Sequence, residues 1–455
     1  MSGAGYLSAA QRAVSLIITG GVIVTMDDDR RVLTPGAIAI AGDGIVAIGS
    51  PDRVQKEYIS DDTIEASGQI VLPGLINTHT HAPMVMYRGL ADDLALMDWL
   101  DQFILPAEAK TVTPEFVRVG TKLALLEMIR SGTTTYADMY YFEDVIAEVT
   151  HEVGMRAVLG QTVIRFPAPD AATPSEALER ASQFIERWQD HELIIPAVAP
   201  HAMFTLDRKM LEASHALSRQ HKVPLLIHLA ETRDEVEMAQ QQYSQTPTEY
   251  LDEIGFWSAN TVAAHGIWVS KEDIAVLAKN EVGVSHNPES NMKLASGTAP
   301  VSSYLAAGVA VGLGTDGAAS NNNLDMFEAM RFAALLHKLI DNDPRAVGAE
   351  VALEMATIGG AKVLGLEDQV GSLEVGKRAD LIVVSMDAAR QTPMYNPISH
   401  LVYTTYGDDV VTTIVNGRVL MRDKDVLTLD EDVVISEARA MATKVLEAIG
   451  VRDPE

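Results

Sequence analysis

The strongest constraint on the fold is an alternation. Short apolar runs occur at 69–77, 132–138, 157–161, 194–200, 224–228, 261–265, 283–286 and 310–315, and helical stretches separate them. Strands buried on both faces read as continuous apolar runs, and parallel strands need a helix to cross back between them. Seven or eight such units over about 300 residues predict a (β/α)8 TIM-like barrel rather than the open doubly wound sheet that is its rival.

The ends of the chain read differently. SLIITGGVIVTM (15–26) and GAIAIAGDGIVAI (36–48) are β-rich and broken by glycine turns, and short strands return after Lys377 in ADLIVVS and VVTTIVNGRVL. The stretch 430–449 reads as a closing helix. The expectation is a small β-sandwich domain built from 1–70 and 377–455, including that helix, with a catalytic barrel at 71–376 inserted between the two parts.

Composition removes several function classes. Sixty-three acids against 35 bases give a net charge of −28, which argues against nucleic acid and anionic membrane as partners. No apolar run approaches the roughly 18 residues of a membrane span. MSGAGYLSAAQRAVS lacks the basic start and apolar stretch of a leader, so a cytoplasmic location is expected. There is no cysteine, which excludes disulfides, thiolate nucleophiles and Cys-ligated zinc. A metal in this chain must be held by His, Asp or Glu.

The polar residues that carry chemistry sit where the strands end. His79 and His81 are two apart, so both rings face the same way and can reach one ion. His201, His228, His265 and Asp316 each close or follow a predicted strand, and Glu231 stands three residues beyond His228. The C-terminal rim of a barrel is where active sites form. Singly, each residue is as well explained as a solvated or capping group; together they describe a metal centre with a general base. His286 also ends a strand, where packing suffices to explain it. The sequence GLGTDG at 312–317 fits a dinucleotide fingerprint, but the acid that such a site wants about twenty residues on is missing from RFAALLHKL. No G-x-S-x-G elbow is present.

VLPGLINTHTH, HLAET, AAHG and GTDGAASNNN resemble the amidohydrolase superfamily over nearly the whole chain. HTHAPMVMYRGLADDLALMDWL, DMYYF and SHNPESNMKL are more specific. They resemble the branch that deaminates 5'-methylthioadenosine and S-adenosylhomocysteine, which is related to triazine hydrolases and guanine-type deaminases. The resemblance implies metal ligands at His79, His81, His228 and Asp316, a proton-shuttling Glu231, and a His265 that orients the attacking hydroxide. It also implies substrate contacts from Glu108, His201, Glu231 and Asp316. With no lysine in TTTYADMYY or IIPAVAPHAMF to bridge two metals, one Zn²⁺ per chain is expected; Fe, Mn or Co suit the same donors. Where relatives carry arginines for the amino-acid tail of the substrate, this chain reads GQTVIRFPAP, with Gln161 and Arg165 nearby, so a tail without a carboxylate is expected.

The expected reaction is hydrolytic deamination of the adenine ring of methylthioadenosine, S-adenosylhomocysteine or adenosine. A triazine or guanine-type hydrolase is the alternative on the same scaffold. The implied partner is a small nucleoside, and a homodimer or homotetramer is expected.

Overall fold

The computed structural model describes residues 11–450; the stretch 1–10, where no leader is expected, and 451–455 lie outside the described residues. Eight parallel strands stand side by side in chain order. They are β1 (Leu75–Thr80), β2 (Thr133–Tyr140), β3 (Arg156–Val163), β4 (Ile194–Pro200), β5 (Leu225–Leu229), β6 (Thr261–His265), β7 (Gly283–His286) and β8 (Val311–Leu313). Every residue of β2 and β3 is buried, as expected for strands packed inside by their own side chains and outside by helices. The helices start where the sequence offers caps. Thr113, Thr173 and Asp207 each accept a hydrogen bond from a backbone N–H in the first turn that follows.

Neighbouring strands from β1 to β8 are joined by backbone pairing. The seam between β8 and β1 is closed differently. Asn77 Nδ2 donates to Thr315 Oγ1 at 2.7 Å, and its Oδ1 accepts from the Thr315 N–H at 3.1 Å. Thr78 Oγ1 donates to the Leu313 carbonyl at 2.9 Å, and the Asp316 N–H donates to the His79 carbonyl at 3.0 Å. Glycine makes the approach possible: a Cβ on Gly312 would lie 2.6 Å from Thr78 Cγ2 across the seam, and one on Gly314 would lie 3.0 Å from His79 Cβ there and 2.3 Å from Asn287 Oδ1 on the β7 side. Gly312 and Gly314 therefore serve close packing around β8.

Both chain ends contribute to two further sheets. A seven-stranded sheet pairs Leu381–Ser385 antiparallel with Gln69–Pro73, and a four-stranded sheet is built from the N-terminal strands. Ile18, Ile38, Val71, Leu381 and Ile414 fill the space between them as one apolar cluster, the arrangement of a small sandwich. The run 69–77, expected as one strand, is two strands in two sheets. Gln69–Pro73 belongs to the sandwich, and β1 begins at Leu75. Gly74 is the joint: a Cβ there would stand 2.1 Å from Thr134 Oγ1, so only glycine lets the chain cross. The closing helix Glu431–Ile449, capped by Asp430, lies along the barrel helix Pro114–Arg130. Arg130–Glu431 (2.5 Å) and Lys122–Glu437 (3.1 Å) ion pairs mark the contact. No helix among the described residues is long and apolar enough to cross a membrane.

Candidate active site and metal centre

At the C-terminal rim, β1 delivers His79 and, one residue past its end, His81; β5 delivers His228, β6 His265, and the turn after β8 Asp316. Two of the imidazoles have a fixed tautomer. His81 Nδ1 lies 2.6 Å from the Met139 carbonyl and His228 Nδ1 2.7 Å from the His201 carbonyl. A carbonyl only accepts, so each Nδ1 carries a hydrogen, and Nε2 is the atom left facing inward, with a lone pair to offer whenever the ring is neutral. Those two Nε2 atoms are 3.4 Å apart. His79 Nε2 is buried without a hydrogen-bond partner, 3.5 Å from Asp316 Oδ1, and His81 Nε2 is 3.3 Å from the same oxygen. His79, His81 and Asp316 bring their donor atoms within 4.8 Å of one another, and so do His79, His228 and His265.

The electrostatics ask for a positive charge at this point. Burial presses His79 down to about 4 and His228 well below the ordinary imidazole range. Burial also weighs on His81, but contact with Asp316 outweighs it and lifts His81 to about 9. Asp316, which burial alone would raise, is held well below the carboxylate range by His79 and His81. Its other oxygen accepts from Ser290 Oγ (2.7 Å) and Ser320 Oγ (2.9 Å), so Oδ1 stays aimed at the histidines. Converging nitrogen lone pairs, one carboxylate and outer hydrogen bonds that orient them are the donor set of a divalent metal site. The residues present fit such an ion.

Above the centre is a cavity. Glu231, His265 and His201 line it together with His81, His228 and Asp316. Glu231 Oε2 stands 3.7 Å from His265 Nε2, and the His265 Nδ1 lies 2.9 Å from Asn291 Oδ1. Burial pushes the Glu231 carboxyl above its ordinary range and His201 down to about 3. His265 at φ +70 and Asp316 at φ +61 are left-handed, a conformation that costs a residue with a side chain about 1–3 kcal/mol and that concentrates at functional sites.

Glu108 arrives from a different element. The segment Leu96–Thr111 is helical with a π-turn at Leu100–Ile104, a distortion that recurs at functional sites. It covers the cavity with Leu96, Trp99, Leu100 and Ile104 and places Glu108 inside. Glu108 Oε1 accepts from the Tyr140 hydroxyl at 2.7 Å, and burial pushes its carboxyl up to about 7. Among the described residues, no lysine or arginine lines this cavity.

Two candidates stand outside it. Gln161 donates to Asp170 Oδ2 at 2.9 Å, which ties it to the following loop, and Arg165 is exposed with its guanidinium over Phe166. His286 pairs with His337, Nε2 to Nε2 at 3.1 Å, in the packed layer behind β7. Tyr140, Ser290, Ser320 and Asn291 were not singled out from sequence. The stretches DMYYF and SHNPESNMKL contain three of them, but nothing in either marks a hydroxyl or an amide as an orienting partner.

Comparison with known proteins gives a consistent result. The model of the Amidohydrolase family matches residues 70–420. The 5-methylthioadenosine/S-adenosylhomocysteine deaminase of Syntrophobacter fumaroxidans is 46% identical over 430 residues, 94% of this chain and 98% of the relative. The 5'-deoxyadenosine deaminase of Methanosarcina mazei is 44% identical, covering 95% and 99%. The crystal structure of an adenosine deaminase from Xanthomonas campestris with bound zinc superposes with a TM-score of 0.95 at 37% identity, covering 96% of this chain and all of that one.

Proposed function

The chain belongs to the amidohydrolase family, and from that membership we propose that it hydrolyses the 6-amino group from an adenine nucleoside, releasing ammonia. The observation that carries the reading is Glu231 beside His265 at 3.7 Å, at the mouth of a buried three-histidine, one-aspartate centre.

His79, His81, His228 and Asp316 would hold one Zn²⁺, and Fe, Mn or Co would accept the same donors. When bound, such an ion supplies strongly acidified water, its pKa brought down towards about 7, a nucleophile at neutral pH. Glu231 takes the proton from the attacking water and hands it to N1 of the ring, which makes C6 electrophilic. Its raised proton affinity suits a group that must hold that proton between the two events. His265 steadies the attacking oxygen by hydrogen bond. Asp316 receives the second proton as the C6–N6 bond breaks, and the proton leaves with ammonia; water and adenine nucleoside become hypoxanthine nucleoside and ammonia. Glu108, oriented by Tyr140, accepts from the ribose hydroxyls, and His201 contacts the substrate as a neutral imidazole.

The cavity's apolar side, Met84, Leu96, Trp99, Leu100, Ile104 and Phe204, without a cationic side chain, suits a 5'-deoxy or 5'-methylthio group better than an amino-acid tail. The same reading takes the catalytic barrel, expected over 71–376, to begin at Leu75 instead, because Gln69–Pro73 is a strand of the sandwich; the small domain, expected over 1–70 and 377–455, then extends to Pro73. The reading also includes a homodimeric or homotetrameric assembly, a cytoplasmic location and no nucleic-acid partner, the last supported by a net charge of −28.

The test is an ammonia-release screen of 5'-methylthioadenosine, 5'-deoxyadenosine, adenosine, S-adenosylhomocysteine, guanine and triazines on metal-analysed protein. The adenine nucleosides are expected to react. Turnover of guanine or a triazine in preference to all of them overturns the reading.

A further inference from the structure

A strand running straight through residues 228–231 would send His228 and Glu231 to opposite faces, because side chains alternate and the two are three apart. Both nevertheless line the same cavity. The reversal is made at Ala230, whose φ of +46 places it in the left-handed region that an alanine rarely adopts. On one side the turn is held by the loop after His265: the Ala230 carbonyl accepts from the N–H groups of Ile267 (3.2 Å) and Trp268 (2.9 Å). On the other side stands Glu235.

Glu235 is the third residue of the helix Arg233–Tyr243, and its N–H donates to the cap residue, Thr232, at 3.2 Å. A glutamate at this position commonly reaches back to the N–H of the cap itself. Glu235 reaches one residue further. Its Oε2 accepts from the N–H of Glu231 at 3.1 Å. The side chain is 2% exposed, and Oε1 is buried without a partner, an arrangement that helix capping alone does not require.

We propose that Glu235 is a positioning residue for the reaction: by holding the Glu231 N–H it fixes the left-handed turn at Ala230 and keeps the Glu231 carboxylate over the reacting ring carbon. This rests on the reading of Glu231 as the proton carrier. Burial pushes Glu235 up to about 8, so at neutral pH it is largely a neutral acceptor that glutamine can imitate and alanine cannot.

Crystal structures and kinetics of Glu235→Gln and Glu235→Ala test it. The glutamine variant is expected to keep the turn and to turn over within roughly threefold of the parent, whereas the alanine variant lets Ala230 relax, displaces Glu231, and loses roughly 10- to 100-fold in kcat at unchanged KM, metal content and Tm. An alanine variant with the turn in place and parental kcat overturns the proposal. So does a glutamine variant as impaired as the alanine one, or a loss of kcat that follows lost metal or lowered Tm. If the parent releases no ammonia from any adenine nucleoside, the deaminase reading fails, and the position of the Ala230 turn in the two crystal structures still decides the role of Glu235.

Discussion

Glu108→Gln should make the protein more stable and less active, with a gain in stability that depends on pH. Glu108 is 5% exposed and receives a hydrogen bond from Tyr140, yet burial moves its carboxyl from 4.5 up to about 7. Between those values the folded chain keeps a proton that the unfolded chain has released, so stability falls as pH rises through the window. Each unit costs about 1.4 kcal/mol. The cost reaches about 3 kcal/mol above pH 7 and is about 1.4 kcal/mol near pH 5.5. Glutamine keeps an acceptor for the Tyr140 hydroxyl and does not ionise. Relative to the parent, the variant should therefore gain about 2 kcal/mol more at about pH 8 than at about pH 5.5. For 455 residues, an unfolding entropy of about 2.1 cal/mol/K per residue converts that into about 2 °C in Tm. Differential scanning calorimetry of chelator-treated parent and variant at both pH values reads the effect from the side chains alone. An identical Tm difference at the two pH values, or a larger gain at the acidic one, would refute the burial argument. Activity moves the other way, since an acid kept buried at the expense of stability is expected where function needs it.

Three further outcomes are expected. Glu231→Gln should lower kcat by about 10²–10⁴-fold in the ammonia assay while metal analysis reads as for the parent. Arg156→Met strands the buried Asp380 carboxylate, now 2.8 Å from Arg156 Nε, and should cost about 3–5 kcal/mol in denaturant unfolding; a loss under 1 kcal/mol would mean that the pair does not tie barrel to sandwich. Removing metal with a chelator should lower Tm, and free zinc at about 100 times its Kd should restore about 2.7 kcal/mol, measured by thermal shift against zinc concentration.

The barrel was legible because its strands are buried on both faces and so appear as unbroken apolar runs, with the chemistry at their ends. The same burial hid the joint at Gly74. An apolar run carries no mark of which sheet it joins, and proline-glycine inside it reads as one more break. The histidines were legible because two of them sit two apart and the others end strands. The turn at Ala230 was not, since alanine has no preference for the left-handed region, and only the surrounding hydrogen bonds reveal it. Tyr140 and Ser290 were hidden because their partners, Glu108 and Asp316, lie far away in sequence, and Ser320 because a hydroxyl four residues after an aspartate is too common to mark a contact. Gln161 and Arg165 were placed near the substrate tail by position along β3, but a strand end and the loop beyond it diverge within a few residues. One side chain is tied to Asp170 and the other faces solvent.

Seven of the barrel's junctions are written in backbone, which every amino acid shares. At the eighth, one backbone bond from Asp316 to His79 is reinforced by the side chains of Asn77, Thr78 and Thr315, with glycine at 312 to let Thr78 approach. Sequence drift barely touches the first kind of closure, whereas the second can be lost one codon at a time. His79 and Asp316 flank that junction, joined by the Asp316 N–H to His79 carbonyl bond. Selection for the reaction therefore also preserves the closed cylinder, and a descendant that abandoned the chemistry would be expected to loosen first at this edge.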